Sequence, residues 1–254
     1  MHLFLQNSTI NPRTDITITG SKSESNRLLL LKALFENLEI QNVSNSDDSQ
    51  YMLKALSTES TTVDIHHAGT AMRFLTAYFA TLEGSTILLT GSQRMQERPI
   101  KILVDALRDL GADIEYENQD GYPPLRIIGK RLLKDEVRMK ANVSSQYISA
   151  LVLTATKLEN GLKLHLDGKI TSVPYINMTL SLLEQIGVET SFEGQTIHVK
   201  PYLETDSKTL TVESDWSSAS YFYSIVALSP LGTQVCLSTY KKDSLQGDAV
   251  LKDI

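Results

Sequence analysis

The chain has 254 residues, of which 41% are hydrophobic and 21% charged, so it can form one large globular domain or two smaller ones. Its formal net charge of -6 argues against a surface that attracts nucleic acid, and any anion site must come from a local cluster of cations. No apolar run approaches the ~20 residues of a membrane-spanning helix.

Cys236 is the single cysteine, which rules out an internal disulfide and suits a reducing compartment such as the cytoplasm. It lies in a strand-like run, so we expect a small buried apolar residue rather than a nucleophile. The five histidines lack the helical spacing of metal ligands. The sequence therefore predicts a cytoplasmic protein without a metal site.

The segment Gly20–Arg27 follows a short strand pattern and runs directly into a helix. Lys22 and Arg27 place positive charge near a helix start, where a cation opposes the helix dipole by about 0.3–1 kcal/mol. Three hydroxyl or amide side chains there are suited to capping the helix: Ser23, Ser25 and Asn26. An ordinary solvated helix start explains the residue types, but the misplaced cations favour a site for a small, multiply anionic ligand.

Helix and strand patterns alternate along the chain as an internal repeat. In chain order, the pattern predicts helices at 23–35, 47–56, 70–81, 100–110, 145–156, 176–186 and 214–229. It predicts strands at 39–43, 62–65, 86–89, 113–117, 125–128, 162–166, 189–192, 196–199 and 234–237. Gly111 and Gly187 end equivalent helices and are candidates for left-handed C-caps. The order indicates three βαβαββ-like units between about residues 20 and 200, and hence an α/β fold with crossover connections and partly parallel sheets.

Each repeat places one polar loop at an equivalent point, before a helix. In the second loop, Gly69 allows close approach to the backbone, Thr70 supplies a hydroxyl, and Arg73 lies one helical turn away. The third loop opens its helix with three polar side chains: Ser144, Ser145 and Gln146. Capping explains each loop taken singly, but three loops in register indicate a shared anion site.

Two more polar loops precede the second helix of the second and third units. The first carries Arg94 and Arg98, and we interpret Arg94 as a ligand-binding residue and Arg98 as part of a solvated surface pair with Glu97. The other carries Ser172 and Tyr175.

Seven ordered motifs resemble those of the 5-enolpyruvylshikimate-3-phosphate synthase (EPSP synthase) family. They are Gly20–Arg27, Ala68–Arg73, Arg94–Ile100, Ser144–Gln146, Ser172–Tyr175, Asp215–Tyr221 and Gln246–Asp248. The resemblance implies an inside-out α/β barrel architecture, in which each of two domains holds three βαβαββ units around a pseudo-threefold axis. It also implies that residues 20–213 form one complete domain, whereas residues 1–19 and 214–254 belong to a second, partial one.

The resemblance implies transfer of the enolpyruvyl group of phosphoenolpyruvate to the 5-hydroxyl of shikimate 3-phosphate, a step toward chorismate and the aromatic amino acids, in a monomeric enzyme without cofactor or metal. By the same resemblance, Ser144, Ser145 and Ser172 hold the shikimate phosphate, and Ser23 and Arg27 hold the ring and its carboxylate. Lys22 lies between the substrates as a catalytic residue, and Gln146 lies near the reaction centre. Gly69 and Arg94 bind the phosphoenolpyruvate phosphate. The remaining candidates for substrate contact are Thr70, Arg73 and Tyr175.

The chain departs from the family pattern at two positions, with His67 where Asn is usual and Phe74 where Pro is frequent. The family's acidic general acid and base residues are expected beyond Ile254. A helix that begins at Asp248 is left too short to bury an apolar face, so we expect a truncated chain that binds shikimate 3-phosphate weakly without turnover.

Three other functions stay open at this point. A sibling transferase that acts on UDP-N-acetylglucosamine resembles this chain in fold but carries a cysteine in the loop matching residues 94–99, where this chain has none. A cyclase acting on RNA ends disagrees with the acidic net charge. The third alternative is a non-catalytic module for anion binding or assembly.

Overall fold

The computed structural model describes residue 4 and residues 9–142, 144–203 and 206–254. Most of residues 1–8, the first part of the predicted segment 1–19, therefore lie outside the described residues. Seven of the described helices begin and end within three residues of the predicted positions, and one short helix at Gln93–Gln96 was not predicted. The helices are α1 Lys22–Leu34, α2 Asp47–Leu56, α3 Gly69–Thr81, α4 Gln93–Gln96, α5 Lys101–Asp109, α6 Ser145–Thr154, α7 Val173–Ile186 and α8 Trp216–Ala227. The described part also contains two 3-10 helices, one directly after α6 at Ala155–Lys157 and one at Gly247–Asp253. None of the described helices is both long and apolar enough to cross a membrane.

The strands of the described part are short, with three to six residues each. They are β1 Arg13–Ile16, β2 Leu38–Gln41, β3 Thr62–Asp64, β4 Thr86–Thr90, β5 Asp113–Tyr116, β6 Leu125–Ile128, β7 Glu136–Lys140, β8 Leu162–Asp167, β9 Thr190–Glu193, β10 Thr196–Val199, β11 Lys208–Thr211 and β12 Gln234–Leu237. Two of them, β7 and β11, escaped the sequence analysis. The alternation in β7, which buries Val137 and Met139, was a signal that could have found it.

Two four-stranded sheets have the same strand order, β3-β4-β6-β5 and β7-β8-β10-β9. In both, the first two strands are parallel and the remaining neighbours antiparallel. Each parallel pair is joined through a helix, as a crossover requires. This equivalence confirms the internal repeat and the α/β class. The glycines that end α5 and α7 also match, since Gly111 and Gly187 have φ angles of 107° and 104°.

Sheet pairing sets the boundary between the first two units. In the order of predicted elements, the strand at 62–65 follows the second helix of the first unit and reads as its end, but β3 pairs with β4 and therefore opens the second unit. Sheet pairing is a long-range contact that local periodicity does not report. The first unit is instead closed by β11, which returns from far along the chain to pair in parallel with β2, Lys208 beside Leu38.

The helices lie at the centre of the repeated units. The first helices of the three units, α1, α3 and α6, contact one another, and each second helix contacts the first helices on both sides: α2 lies between α1 and α3, α5 between α3 and α6, and α7 between α6 and α1. This cyclic order is the pseudo-threefold arrangement that the family resemblance implied. Almost every described residue of α3 and α6 is buried, which explains why these helices are apolar on all sides.

Nearly all the buried hydrophobic residues of the described part belong to one of two separate clusters. The large one extends from Leu28 to Val212, and the small one is built on Trp216, Ala219 and Ala249, the last from the 3-10 helix predicted as a helix start. The expectation that Cys236 is buried was wrong, since its side chain is exposed. Residues of β12 alternate between exposed and half-buried, and Cys236 lies on the exposed face of this strand, which pairs with β1 in a two-stranded sheet.

Candidate functional site

The guanidinium of Arg27 marks the place where four helices meet. Its Nε donates to Thr179 Oγ1 at 2.7 Å, and its Nη2 donates to Ser149 Oγ at 3.0 Å and to the Tyr175 carbonyl at 3.3 Å. The Phe74 ring lies 5.6 Å from the guanidinium carbon. Each of these residues lies within the first two turns of its own helix, which is α1, α3, α6 or α7. The four helices therefore begin on the same side of the molecule.

These helix starts leave backbone donors available. No side chain among the described residues caps α1, α3 or α7, whereas Ser144 caps α6 by accepting from the amide of Gln146 at 3.3 Å. The first amides of an uncapped helix lack intrahelical acceptors and carry the positive end of the helix dipole. The starts of α1 and α3 leave their first amides available, whereas α7 has proline at position 174 and its Tyr175 amide donates to the Ser172 carbonyl at 3.1 Å. The two open starts form a region suited to a bound anion.

Arg27 itself is a structural cation in this arrangement. It is 2% exposed, and burial lowers its pKa to about 10. Its Nη1 donates to the Ser23 carbonyl at 2.7 Å, so four of its five N–H donors serve the protein. Arg27 therefore fixes the helices in place, and its predicted contact with a substrate carboxylate stays a prediction that relies on the remaining Nη1 hydrogen.

The predicted capping of α1 by Ser23, Ser25 and Asn26 was wrong. The helix begins at Lys22, with Ser21 before it, and no side chain of the described part caps it. The side chains of Ser25 and Asn26 point toward α2 and the loop before it. Ser25 Oγ accepts from the Ser44 amide at 2.8 Å, and Asn26 donates to Asp48 at 2.8 Å. These polar residues therefore tether α1 to α2 and to the loop before it. Ser23, the second residue of the helix, is half-buried, and the side chain of Lys22 is exposed at the first position.

Arg98 lies over the start of α3. A Cβ atom placed on Gly69 would collide with its guanidinium. No ion pair joins Arg98 to Glu97, so the predicted surface pair was wrong. Arg73 lies behind this loop, donating to the carbonyls of Gly69 and Pro99 at 3.1 Å each, and its burial lowers its pKa. Arg98 is therefore the exposed arginine of this loop, and Arg73 is the buried arginine that holds the loop through its backbone carbonyls.

A pocket of about 290 Å³ opens beside Arg98. It is lined by His67, Arg94, Met95 and Arg98, and both arginines are exposed. Two guanidinium groups around a small volume favour a compact anion such as a phosphate group.

The start of α6 lies against the start of α3. Gln146 Nε2 donates to Thr70 Oγ1 at 3.2 Å, and Tyr147 Oη donates to the Pro99 carbonyl at 2.6 Å. Ser144 is exposed at this end, and the neighbouring Ser145 is buried. The second and third polar loops therefore meet, as the register of the repeats predicted.

The fourth helix start belongs to α7. Ser172 precedes it with a left-handed φ of 56°, which is uncommon for a residue other than glycine, and its side chain is exposed. Tyr175 is 42% exposed, and its ring lies 5.9 Å from the Arg27 guanidinium carbon. Both side chains can be reached from solvent at the common end of the helices.

A larger cavity of about 850 Å³ lies in the second core, between α8 and β12, where its walls include Trp216, Tyr223 and Val235. None of the predicted site residues lines it, and Arg13 is the one cation among its described lining residues. Its mostly apolar walls do not suit a small polyanion. The helix starts and the arginine pocket form the better candidate site.

Sequence reasoning missed Arg98 as a site residue, and it missed the hydroxyls of Ser149 and Thr179 that hold Arg27. A signal for the two hydroxyls existed, because each is a polar residue within an otherwise apolar stretch of helix. Arg98 gave no local signal that separates it from a surface arginine.

The sequence of this chain is similar to a known protein family and to several of its members. The model of the family described as EPSP synthase (3-phosphoshikimate 1-carboxyvinyltransferase) matches residues 56–254. The 3-phosphoshikimate 1-carboxyvinyltransferase of Bacteroides fragilis is 48% identical over 239 residues, which cover 93% of this chain and 58% of that protein. The protein of the same name from Sulfurovum sp. is 38% identical over 269 residues, covering 94% and 62%.

Among solved structures, an EPSP synthase from Acinetobacter baumannii superposes with a TM-score of 0.75 over 91% of this chain and 56% of the other. With 20% sequence identity, this match bears on the fold alone. The chain spans about three fifths of the length of the two curated relatives.

Proposed function

Because the chain belongs to the EPSP synthase family, whose model matches residues 56–254, we propose that it takes part in enolpyruvyl transfer from phosphoenolpyruvate to the 5-hydroxyl of shikimate 3-phosphate, with release of phosphate. The open helix starts of α1 and α3, which lie on one side beside Arg94 and Arg98, carry the proposal. Both substrates are small polyanions, which is the ligand class that such a region favours.

We assign the shikimate 3-phosphate side to the starts of α6, α7 and α1. Ser144 and Ser172 are exposed hydroxyls at two of these starts and can donate to a phosphate, with Ser145 beside them. Ser23 and the free Nη1 hydrogen of Arg27 are assigned to the ring hydroxyls and carboxylate. Tyr175 covers the Arg27 guanidinium at this end.

We assign the phosphoenolpyruvate phosphate to the start of α3 and the pocket beside it. Gly69 brings backbone amides close to the ligand, and Arg94 and Arg98 supply charge. Thr70 and Arg73 hold this loop in place through the Gln146 amide and the Pro99 carbonyl.

The reaction requires a proton at the methylene carbon, stabilisation of charge at the central carbon and a neutralised phosphate leaving group. The exposed ammonium of Lys22 is available at the start of α1 to serve the reacting hydroxyl. We assign Gln146, at the junction of α3 and α6, to orienting the acceptor. The leaving phosphate is assigned to the pocket of Arg94 and Arg98.

We further propose that residues 20–213 form one domain and that residues 1–19 and 214–254 belong to another. Two separate hydrophobic clusters support this division, one ending at Val212 and the other built around Trp216. The pairing of β1 with β12 also joins the two outer segments to each other. We propose a monomer in the cytoplasm, and size-exclusion chromatography with light scattering tests the monomer.

Isothermal titration of the 254-residue chain tests the function. We expect saturable binding of shikimate 3-phosphate, tighter binding of phosphoenolpyruvate once the first ligand is bound, and no binding of UDP-N-acetylglucosamine. Binding of the nucleotide sugar instead would support the sibling transferase. A folded chain that binds none of the three ligands would contradict the proposal and leave the non-catalytic module.

A further inference from the structure

Two adjacent histidines lie in direct contact at the edge of the arginine pocket. The Nδ1 atoms of His66 and His67 are 2.6 Å apart, and the ring centroids are 4.2 Å apart with an interplanar angle of 63°. Two N–H groups cannot face each other at this distance, so only one of the two Nδ1 atoms carries a hydrogen. A hydrogen on Nδ1 of one ring therefore excludes a hydrogen on Nδ1 of the other.

His66 is held from several sides. Its ring stacks on Tyr51 with centroids 5.7 Å apart and planes within 6° of parallel. Its amide donates to Asp64 Oδ1 at 2.8 Å, and its carbonyl accepts from the Ser92 amide at 2.8 Å. Its φ of 51° is in the left-handed region, which is uncommon for a residue other than glycine. These contacts hold the backbone and the ring plane of His66 beside His67.

His67 lines the pocket with Arg94 and Arg98. Because its Nδ1 is occupied by His66, Nε2 is the ring nitrogen left to meet a ligand. A neutral imidazole carries its hydrogen on one nitrogen only. When His66 donates its Nδ1 hydrogen, the hydrogen of His67 lies on Nε2, and the ring becomes a donor toward the pocket. The opposite arrangement turns an acceptor lone pair toward the pocket and repels an anion.

We propose that His67 Nε2–H is a third donor to a phosphate group bound between Arg94 and Arg98, and that His66 is a positioning residue which sets this tautomer. The proposal rests on the proposed function in one respect, that the pocket takes the phosphate of phosphoenolpyruvate. The asparagine that the family resemblance leads one to expect at position 67 offers an amide donor without tautomers. His67 therefore also offers a donor, but whether its Nε2 carries the hydrogen depends on His66.

Titration with inorganic phosphate tests the donor. We expect His67→Ala to weaken phosphate binding about tenfold, as for loss of a hydrogen bond to a charged group. His67→Asn retains a donor and should stay within about threefold of the parent chain. His66→Phe preserves the stacking on Tyr51 but removes the Nδ1 hydrogen, and should weaken binding by about threefold or more. His198→Asn, at an exposed histidine on β10, is the matched control and should leave binding unchanged.

Nitrogen NMR of the imidazole rings tests the tautomer in the unmodified chain. At about pH 8, where a free imidazole is neutral, phosphate saturation should place the hydrogen of His67 on Nε2 and that of His66 on Nδ1. A hydrogen on Nδ1 of His67 in the phosphate complex, or unchanged affinity in His67→Ala, would overturn the proposal. A parent chain that binds no phosphate would also overturn it, while the titration with shikimate 3-phosphate would still decide the proposed function.

Discussion

The guanidinium of Arg98 covers the Cα atom of Gly69 so closely that a methyl group at position 69 would occupy the same space. Gly69 is the first residue of α3, and Arg98 belongs to the loop before α5. The absence of a side chain at one residue thus fixes the position of a charge 29 positions further along the sequence.

Gly69→Ala should displace the guanidinium and weaken phosphate binding about tenfold, because the charge leaves the pocket. It should not lower the melting temperature, since alanine is compatible with the first turn of a helix. Titration calorimetry and thermal unfolding measure the two effects. Gly69→Ala/Arg98→Ala should lose less affinity for phosphate than the sum of the two single losses, because both changes remove the same charge from the pocket. Additive losses in this cycle would show that Gly69 acts independently of Arg98.

The two pocket arginines should be far more important for anion binding than other surface arginines. We expect Arg94→Ala to weaken phosphate binding at least tenfold, because it removes a charge-assisted hydrogen bond from the pocket. Arg131→Ala is the control, since Arg131 is exposed and pairs with Glu159 at 2.8 Å. Equal affinities of the two variants would argue against the arginine pocket as the phosphate site.

Arg27 should contribute more to stability than an exposed arginine. Replacing it with alanine leaves a cavity among four helices and removes donors from Ser149, Thr179 and two carbonyls. We expect a loss of about 3 kcal/mol in the free energy of unfolding. Arg126→Ala, which breaks an exposed pair with Glu117, should cost less than about 1 kcal/mol. Urea unfolding of both variants measures the difference, and similar losses would contradict a structural role for Arg27.

Glu24 should make stability depend on pH. Its side chain is 1% exposed, and burial, as the largest cause, raises its pKa above the ordinary 4.5, although Lys241 at 3.3 Å opposes the shift. A raised pKa means that the folded state binds the proton more tightly than the unfolded state. The contribution of Glu24 is therefore fully present below about pH 4.5 and is lost as the pH rises through the raised value.

Glu24→Gln tests this sign. Glutamine keeps an oxygen that can accept from the Glu213 amide, which donates to Glu24 at 3.2 Å, and it does not titrate. The stability of the parent chain relative to Glu24→Gln should decrease from about pH 4.5 toward neutral pH. Urea unfolding at a series of pH values gives the difference. A difference that stays constant or increases with pH would show that Lys241, and not burial, dominates.

Cys236 should react with a thiol reagent in the folded chain. Its side chain lies on the exposed face of β12. A chromogenic disulfide should therefore modify one thiol per chain without denaturant, and Cys236→Ser should show no reaction. Modification only after unfolding would support the original expectation of a buried residue.

The repeat, most helix ends and the polar loops could be predicted from the sequence because they depend on local chemistry. Hydrophobic periodicity determines which segments are helices, and a left-handed glycine such as Gly111 or Gly187 ends a helix by its own conformational freedom. Ser144 and Gln146 could be assigned to a helix start for the same reason, since a cap involves only neighbouring residues.

The tertiary structure decided which of these segments meet. The pairing of β3 with β4, the 152-residue separation between Arg27 and Thr179, and the contact of Arg98 with Gly69 join parts of the chain whose local patterns do not refer to each other. Burial depends on such contacts, so Arg27 became a structural cation while Cys236 was left exposed. The sequence by itself determined the elements and the charges available to a site, and long-range packing determined which of those charges face a ligand.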